Sequence, residues 1–509
     1  MDGEHTMAVR RGGGHRGESR PRGARRHRLR LVAPVAFLVV TLGPVCWLWA
    51  SSLMPAAYSV LDMGYPDHGG GPSVMDHGEH TMPSRSVTDF VADPGRVADV
   101  TFDLVAREQE VTIGGRAMPG YTLNGRTPGP MISAVVGQLI EVHLWNQSVA
   151  AGVSLHWHGL DVPNAMDGVA GVTQDDVGVG EEFTYRFVAE DEGTYWYHSH
   201  QASNEQVSKG LFGPLVVRPS SPASDMAEVI AVAHVYGGNR TLNGRTGDQP
   251  VEVRPGERVR VRIINTDNGP MDVWVGTSYT VLAVDGRELH GPTPVAHHSL
   301  VVTAGGRADL EVRTPRDGTA VRVQLSQSTA VILGHGAAPP VAHPTSALDM
   351  LHYGTRTSIG FDPGRPDRVF KYSIGRQPGF YRGRPGMYWS INGHLYPDVP
   401  MFVVEEGDVA VMRIANHSGE VHPMHLHGHH AVVLSRNGVA STGSPWWVDS
   451  LNVLDGETYD IAFLADNPGI WMDHCHNLKH AAMGMIAHLM YAGVTTSFVV
   501  GGQAGNQPE

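Results

Sequence analysis

The sequence predicts an all-β protein of three related β-sandwich domains, preceded by an N-terminal membrane-spanning helix and a flexible linker. Three observations carry this reading. Gly (62) and Pro (34) are abundant, and short Val/Thr/Tyr-bearing runs end in Gly, Asn or Asp, the punctuation of strands and turns. One pattern occurs three times: TLNGRTPGPMISAVVGQLIEVHLWNQS (122–148), TLNGRTGDQPVEVRPGERVRVRIINTDNG (241–269) and SINGHLYPDVPMFVVEEGDVAVMRIANHSG (390–419). Each copy has an Asn-Gly turn, a strand, a Gly turn and an alternating strand ending in Asn. A second block returns as GEEFTYRFVAEDEGTYWYHSH, GGRADLEVRTPRDGTAVRVQLSQ and GETYDIAFLADNPGIWMDHCH. A period of about 150 residues is too long for a solenoid unit and long enough for a sandwich with its own core.

The elements follow in order. Residues 1–30 form a basic head with nine Arg against three acids, whereas the whole chain carries −13, so the body is acidic and nucleic acid is no partner for it. Residues 31–54 form the membrane anchor: no charge occurs from 31 to 61, twenty apolar residues cover the ~30 Å hydrocarbon core, and the arginines keep the head on the cytoplasmic side. An export signal is the alternative, with twin arginines in ARRHRLRL and a cleavage-like Ala50-Ser51-Ser52. In either case the body faces outward. Residues 55–89 are a Gly/Pro-broken linker that mixes His68, His77 and His80 with Met63, Met75 and Met82, a spacer or a weak copper-collecting segment. The three domains are expected at 90–222, 223–372 and 373–495, followed by a tail, 496–509. Only two cysteines occur, and Cys46 lies in the apolar segment, so a disulfide is not expected and Cys475 is available as a thiolate.

Superposing the copies shows which domains keep candidate ligands. The fifth and seventh residues after Gly193, Gly318 and Gly469 are His198 and His200, Val323 and Leu325, and His474 and His476. HWHG (156–159) and HLHG (425–428) pair His156 with His425 and His158 with His427, while the middle copy has no histidine around 271–274. Residues two apart on a strand share a face, so His474 and His476 look one way and Cys475 the other. One strand then serves two sites. On the cysteine side the third domain adds His422, His480 and Met485, where the first has Val153, Asn204 and Lys209, with Ser199 at the cysteine position. Two imidazoles, a thiolate and a weak thioether match a blue-copper electron-transfer centre, whereas structural zinc needs no such methionine. The other eight histidines suffice for about three further ions between the first and third domains.

The segments HWHG, HSH, HPMHLHG and HCHNLKHAAMGM resemble the four copper signatures of the multicopper oxidases, specifically the three-domain, laccase-like bacterial type, over about residues 90–495. The resemblance implies three cupredoxin-like β-sandwich domains and four copper ions. It implies that His422, Cys475, His480 and Met485 hold the type 1 copper, His156 and His425 the type 2 copper, and His158, His198, His200, His427, His474 and His476 the type 3 pair. The implied reaction couples one-electron oxidation of a small reducing substrate, a phenol or cuprous ion, to reduction of dioxygen to water. Cys475 and His480 carry the electrons, and Asp167, in NAMDG, stands where the family keeps an acid beside the cluster. Ala481 replaces the glutamate that several bacterial relatives carry after the type 1 histidine, and Glu205 is the substitute suggested by its nearness to HSH. Met424, Met483, Trp446 and Trp447 are expected to border the approach to His480. His394, His429, His430 and His488 are read as packing or surface residues. A copper-sequestering protein with little turnover is the alternative; a two-domain nitrite reductase leaves half of the histidine pairs unexplained.

Overall fold

Each copy of the repeated pattern folds in the same way. The structure, a computed structural model, describes residue 13 and residues 23–71, 84–221 and 226–509, with the side chains of 23–36 outside that description. It divides into two compact units, Met1–Ser51 and Ser52–Glu509. The first contains the helix Gly23–Ser51, which exposes Phe37, Leu38, Val39, Val40, Trp47 and Trp49. Among the described residues no helix is long and apolar enough to cross a membrane. The helix ends at Ser51, earlier than the expected 54, and most of the basic head lies outside the described residues.

The second unit holds three two-sheet sandwiches. In the first, strands 132–135, 212–218, 193–199 and 155–158 form one sheet, and strands 116–123, 100–113, 139–146 and 182–188 the other. The corresponding inner sheets of the second and third copies run 249–251, 329–333, 321–325, 271–275, 300–302 and 400–404, 486–491, 470–475, 422–426, 450–453. In all three the first strand is parallel to the second and the remaining pairs are antiparallel. Separate apolar cores fill the three sandwiches, as independent duplication requires.

The repeated asparagines explain the repeat. Asn124, Asn243 and Asn392 all sit at positive φ before a glycine, where a short polar side chain tolerates the left-handed turn. Each Oδ1 accepts from the backbone N–H of Val105, Val232 or Ser373, and each Nδ2 donates to the carbonyl of Asp103, Ile230 or Lys371. The strand-ending Asn146, Asn265 and Asn416 are fully buried and donate to carbonyls of neighbouring loops, including those of Val177, Val302 and Val453. They satisfy backbone acceptors that would otherwise be costly to bury.

Three expectations need correction. The segment 55–89 is no free linker where it is described: Tyr65–Asp67 adds a parallel strand to the third sandwich, Ala57–Tyr58 pairs with Val500–Gly501, and Arg85–Ser86 pairs with Val494–Thr495. Met63 is buried in the third core and accepts from the Tyr396 hydroxyl, which removes it from any metal-collecting role; His77, His80, Met75 and Met82 lie outside the described residues. The expected boundary at 372/373 falls inside the strand Arg368–Tyr381, because this strand of the third sandwich, paired on both sides, starts earlier than its alternation suggests. The expected tail, 496–509, is packed into the body, with Asn506 and Glu509 buried.

Candidate metal centre

Cross-strand register brings the histidines together. His156 lies directly opposite His198 in the first sandwich and His425 opposite His474 in the third, while Val275 opposite Val323 fills the same place in the second. The glycines of the two motifs make room for neighbours. A Cβ on Gly159 (φ +87°) would stand 2.0 Å from the Arg307 guanidinium, and one on Gly428 (φ +63°) 2.5 Å from the Trp471 ring.

Eight histidines from the two sandwiches converge, all buried. The nitrogens of His158, His198 and His476 lie within 4.8 Å of one another, as do those of His200, His427 and His474. His156 and His425 face each other with their Nε2 atoms 3.4 Å apart. The Nε2 atoms of His427 and His474 are 3.2 Å apart. His198 Nε2 and both ring nitrogens of His200 and His476 have no hydrogen-bond partner, although buried. Orphaned imidazole nitrogens aimed at one another fit metal ions and fit little else. Burial, the largest cause, holds His158, His198, His200, His427, His474 and His476 well below the usual imidazole range, so they stand as neutral ligands.

The outward nitrogens are held by oxygen. Asp167 is buried between His156 Nδ1 (3.0 Å) and His427 Nδ1 (3.1 Å), so it is more than a turn residue. His425 Nδ1 meets the Asp449 carbonyl at 2.8 Å, and His198 Nδ1 the Ser199 carbonyl at 3.0 Å. Asp449 also approaches His158 Nε2 at 3.2 Å. Its carboxylate is held by both arms of the Arg307 guanidinium, at 2.7 and 2.6 Å. Although burial opposes the charge, Arg307 and three histidines keep Asp449 well below the usual carboxylate range.

On the other face of the same strand, Cys475 Sγ is 3.5 Å from His422 Nδ1 and 3.7 Å from His480 Nδ1, which are 3.3 Å from each other. A point equidistant from these atoms lies about 2 Å from each, the length of a metal–imidazole bond. Met485 is fully buried beside them, its carbonyl accepting from the Cys475 N–H. Burial pushes the Cys475 thiol up and the His422 imidazole down to about 3. Eleven of the twelve expected ligands thus fall into two neighbouring sites, with Cys475 in one and His474 and His476 in the other, and Met485 adjoins the first through its backbone.

Some expected neighbours are elsewhere. Trp446 packs on Tyr459 and Trp447 on Phe361, so neither borders the outer edge of His480, and Met424 is buried as the cross-strand partner of Cys475. Met483 does stay near, its N–H donating to the His480 carbonyl. The outer edge of His480 is bordered instead by Asn477 (3.1 Å to Nε2), Glu420 (3.4 Å to Nε2) and the Trp389 ring, on which Arg376 stacks. Glu205 is 54 % exposed and paired with Lys209, which takes it out of the cluster. His430 is no mere packing residue: it contacts Asp161 and Asp449, and although burial and Arg287 oppose its charge, those carboxylates hold it up at about 9. Asp449, Arg307, Glu420 and Glu509 carry no local sequence signal; only their contacts reveal them.

Two stretches, 105–222 and 365–493, match family models described as multicopper oxidase. The chain is similar to the multicopper oxidase MmcO of Mycobacterium tuberculosis, 29% identical over 79% of this chain and 88% of that one. It is also similar to Laccase-1 of Botryotinia fuckeliana, 28% identical over 75% of this chain and 80% of that one. Among solved structures, a multi-copper oxidase from Pseudomonas thermotolerans superposes with a TM-score of 0.65 at 25% identity, over 77% of this chain and 99% of that one.

Removing Arg307 would strand a buried carboxylate beside two cluster histidines. Arg307→Met is expected to cost about 3–5 kcal/mol of stability, read as a lowered midpoint in chemical denaturation of the copper-free chain.

Proposed function

The chain belongs to the multicopper oxidase family, and from that premise we propose how its own residues divide the work. It is a copper-dependent oxidoreductase that takes electrons from a reducing substrate and uses dioxygen as the acceptor. Bound copper supplies reversible one-electron chemistry and open positions for an oxygen ligand. His422, Cys475, His480 and Met485 would hold the type 1 ion, and His156 and His425 the type 2 ion. His158, His198 and His476 would hold one member of the type 3 pair, and His200, His427 and His474 the other. The observation that carries this assignment is the placement of Cys475 in one donor set and its chain neighbours His474 and His476 in the other.

The residues supply everything around the metal. His480 turns one nitrogen to the Cys475 site and the other to the surface, so a donor resting there is one imidazole ring from the first ion. Cys475 is joined by one peptide bond to each of His474 and His476, a covalent route toward the cluster. Asp167 accepts from the Nδ1 atoms of His156 and His427 and so turns their Nε2 atoms inward. In the overall balance, four one-electron donors and four protons convert one dioxygen to two waters.

At the entry site we assign Glu420 as the group that receives the proton a phenol loses with its electron: it is 46% exposed and 3.4 Å from His480 Nε2. Phenols are favoured over cuprous ion because a carboxylate flanks the edge of His480, the buried Trp389 ring packs behind it, and no methionine cluster stands there among the described residues. For localisation, we propose that the sequence segment 31–54 anchors the body to the outer face of the cell membrane, on the strength of its lack of charge and the arginine-rich head before it.

Four experiments check these readings. Copper-loaded wild-type chain is expected to bind four ions, turn blue and consume dioxygen with a phenol. Cys475→Ser loses colour and turnover but keeps the three cluster ions, and full activity in that variant sinks the electron route. Glu420→Gln lowers kcat/KM for phenols by about 10²-fold while sparing a fully N-alkylated aromatic diamine, which gives up an electron without a proton; equal losses on both donors rule out the proton role. In cells, the full-length chain stays with the membrane fraction after alkaline carbonate washing; release into the wash, or a mature chain starting near Ser51, replaces the anchor by an export signal.

A further inference from the structure

Residues 500–509 are built into the body by a series of specific contacts. Val500–Gly501 pairs with Ala57–Tyr58. Asn506 accepts from the Asp176 N–H at 2.8 Å and donates to Asp175 at 2.7 Å. Gln201, immediately after the cluster ligand His200, donates to the Gly505 carbonyl (3.1 Å) and accepts from the Gln507 N–H (2.8 Å). These contacts deliver Glu509 into the interior, where its side chain is only 3% exposed. One carboxylate oxygen accepts from the Ser203 hydroxyl. The other, Oε1, stands 3.1 Å from His474 Nδ1 and 4.0 Å from His200 Nε2. The 3.1 Å approach lacks the angle of a hydrogen bond, and both Oε1 and His474 Nδ1 are buried without any other partner.

A buried carboxylate with one oxygen unsatisfied is costly, and Glu509 makes its ion contacts with these histidines alone among the described residues. The cluster gives the complementary half of the account. A metal-bound imidazole ordinarily passes its second N–H to a carboxylate or carbonyl, which fixes the ring and its tautomer. His156 and His427 have Asp167, His425 has the Asp449 carbonyl and His198 the Ser199 carbonyl. For His474, whose Nε2 points at His427 Nε2, the oxygen beside Nδ1 is that of Glu509.

We propose that Glu509 is a positioning residue of the cluster: its carboxylate takes the Nδ1–H of His474 and presents Nε2 to the metal shared with His200 and His427. A rotation of the ring or of the carboxylate converts the 3.1 Å contact into a hydrogen bond. The packed segment 500–509 thereby belongs to the cluster, linking strand Gly193–Ser199 and its following loop to the strand that carries Cys475.

This inference rests on the copper assignment above, and its test separates the two. Full-length wild type, Glu509→Ala and Glu509→Gln are titrated with copper against a competing chelator, following copper per chain, the blue band of the Cys475 site and the paramagnetic resonance of the cluster. Glu509→Ala is expected to keep the blue band and the melting temperature of the copper-free chain, and to need about 10–100-fold more free copper to fill the cluster. Glu509→Gln, whose amide oxygen still accepts from Nδ1–H, recovers most of that loss. Cluster filling by Glu509→Ala at the wild-type copper concentration overturns the inference, and so does parallel loss of blue colour and melting temperature, which marks a purely structural role. A wild-type chain that never takes more than one ion overturns the copper assignment itself, and the inference with it.

Discussion

Eight imidazoles can share one cavity only as neutral rings, and the rest of the structure is arranged around that constraint. In water each would be partly protonated near neutrality, and eight such charges would repel one another and any metal. For His158, His198, His200, His425, His427, His474 and His476 burial opposes that charge, and the same desolvation keeps their nitrogen lone pairs free for metal. The two sandwiches that supply the rings must therefore close over them. Trp157, Trp196 and Trp471, the largest fully buried side chains, stand on the ligand-bearing strands or follow them closely in sequence. Copper binding then relieves what folding alone leaves unsatisfied, which makes the metal part of the stability of the holo-protein.

Strand geometry converts this closed cavity into a wired pair of sites. A β-strand alternates faces at every residue, so three consecutive side chains can address two compartments with no gap between them. His474 and His476 fall on the cluster side, and Cys475 on the side of His422 and His480. An α-helix would turn neighbours by about 100° and scatter the three. Cross-strand register adds a partner: His425 opposite His474 repeats His156 opposite His198, so one duplicated antiparallel strand pairing supplies histidines to the cluster from both sandwiches.

This division explains what could be read before folding was known. The eight paired histidines were legible because their signal is local: residue type, a spacing of two on a strand, and recurrence in a duplicated block; His422, Cys475, His480 and Met485 were legible by contrast, since the first copy has Val153, Ser199, Asn204 and Lys209 in their places. The buttons that hold them were not. Asp449 meets Arg307 across 142 residues and Glu509 meets His474 across 35, contacts that no periodicity announces. Trp446 and Trp447 misled because nearness to the ligands in sequence was taken for nearness to His480, whereas the strand Trp447–Val448 carries them to the opposite sheet. The region around 57–86 misled differently: its strands are two or three residues long, below the length at which alternation can be recognised, and they are strands only because neighbouring edges accept them. Glu205 shows the reverse error, since four residues from Lys209 on a short helix it found a surface partner instead of the cluster.

The middle sandwich, which has no ligand, still explains why three copies persist. Where the others place His156 against His198, it places Val275 against Val323, so its inner sheet serves its own core. Its outer sheet does the remote work. Arg262 and Asp309 grip the Thr194 hydroxyl, and Arg307 Nε donates to the Thr194 carbonyl, four residues before His198 on the same strand. The same Arg307 neutralises Asp449 next to His158 and His425. Without that guanidinium, a carboxylate adjacent to the ligands would face the interior uncompensated and would be driven to take up a proton. The copy that lost its histidines thus contributes fixed charge in place of donor atoms.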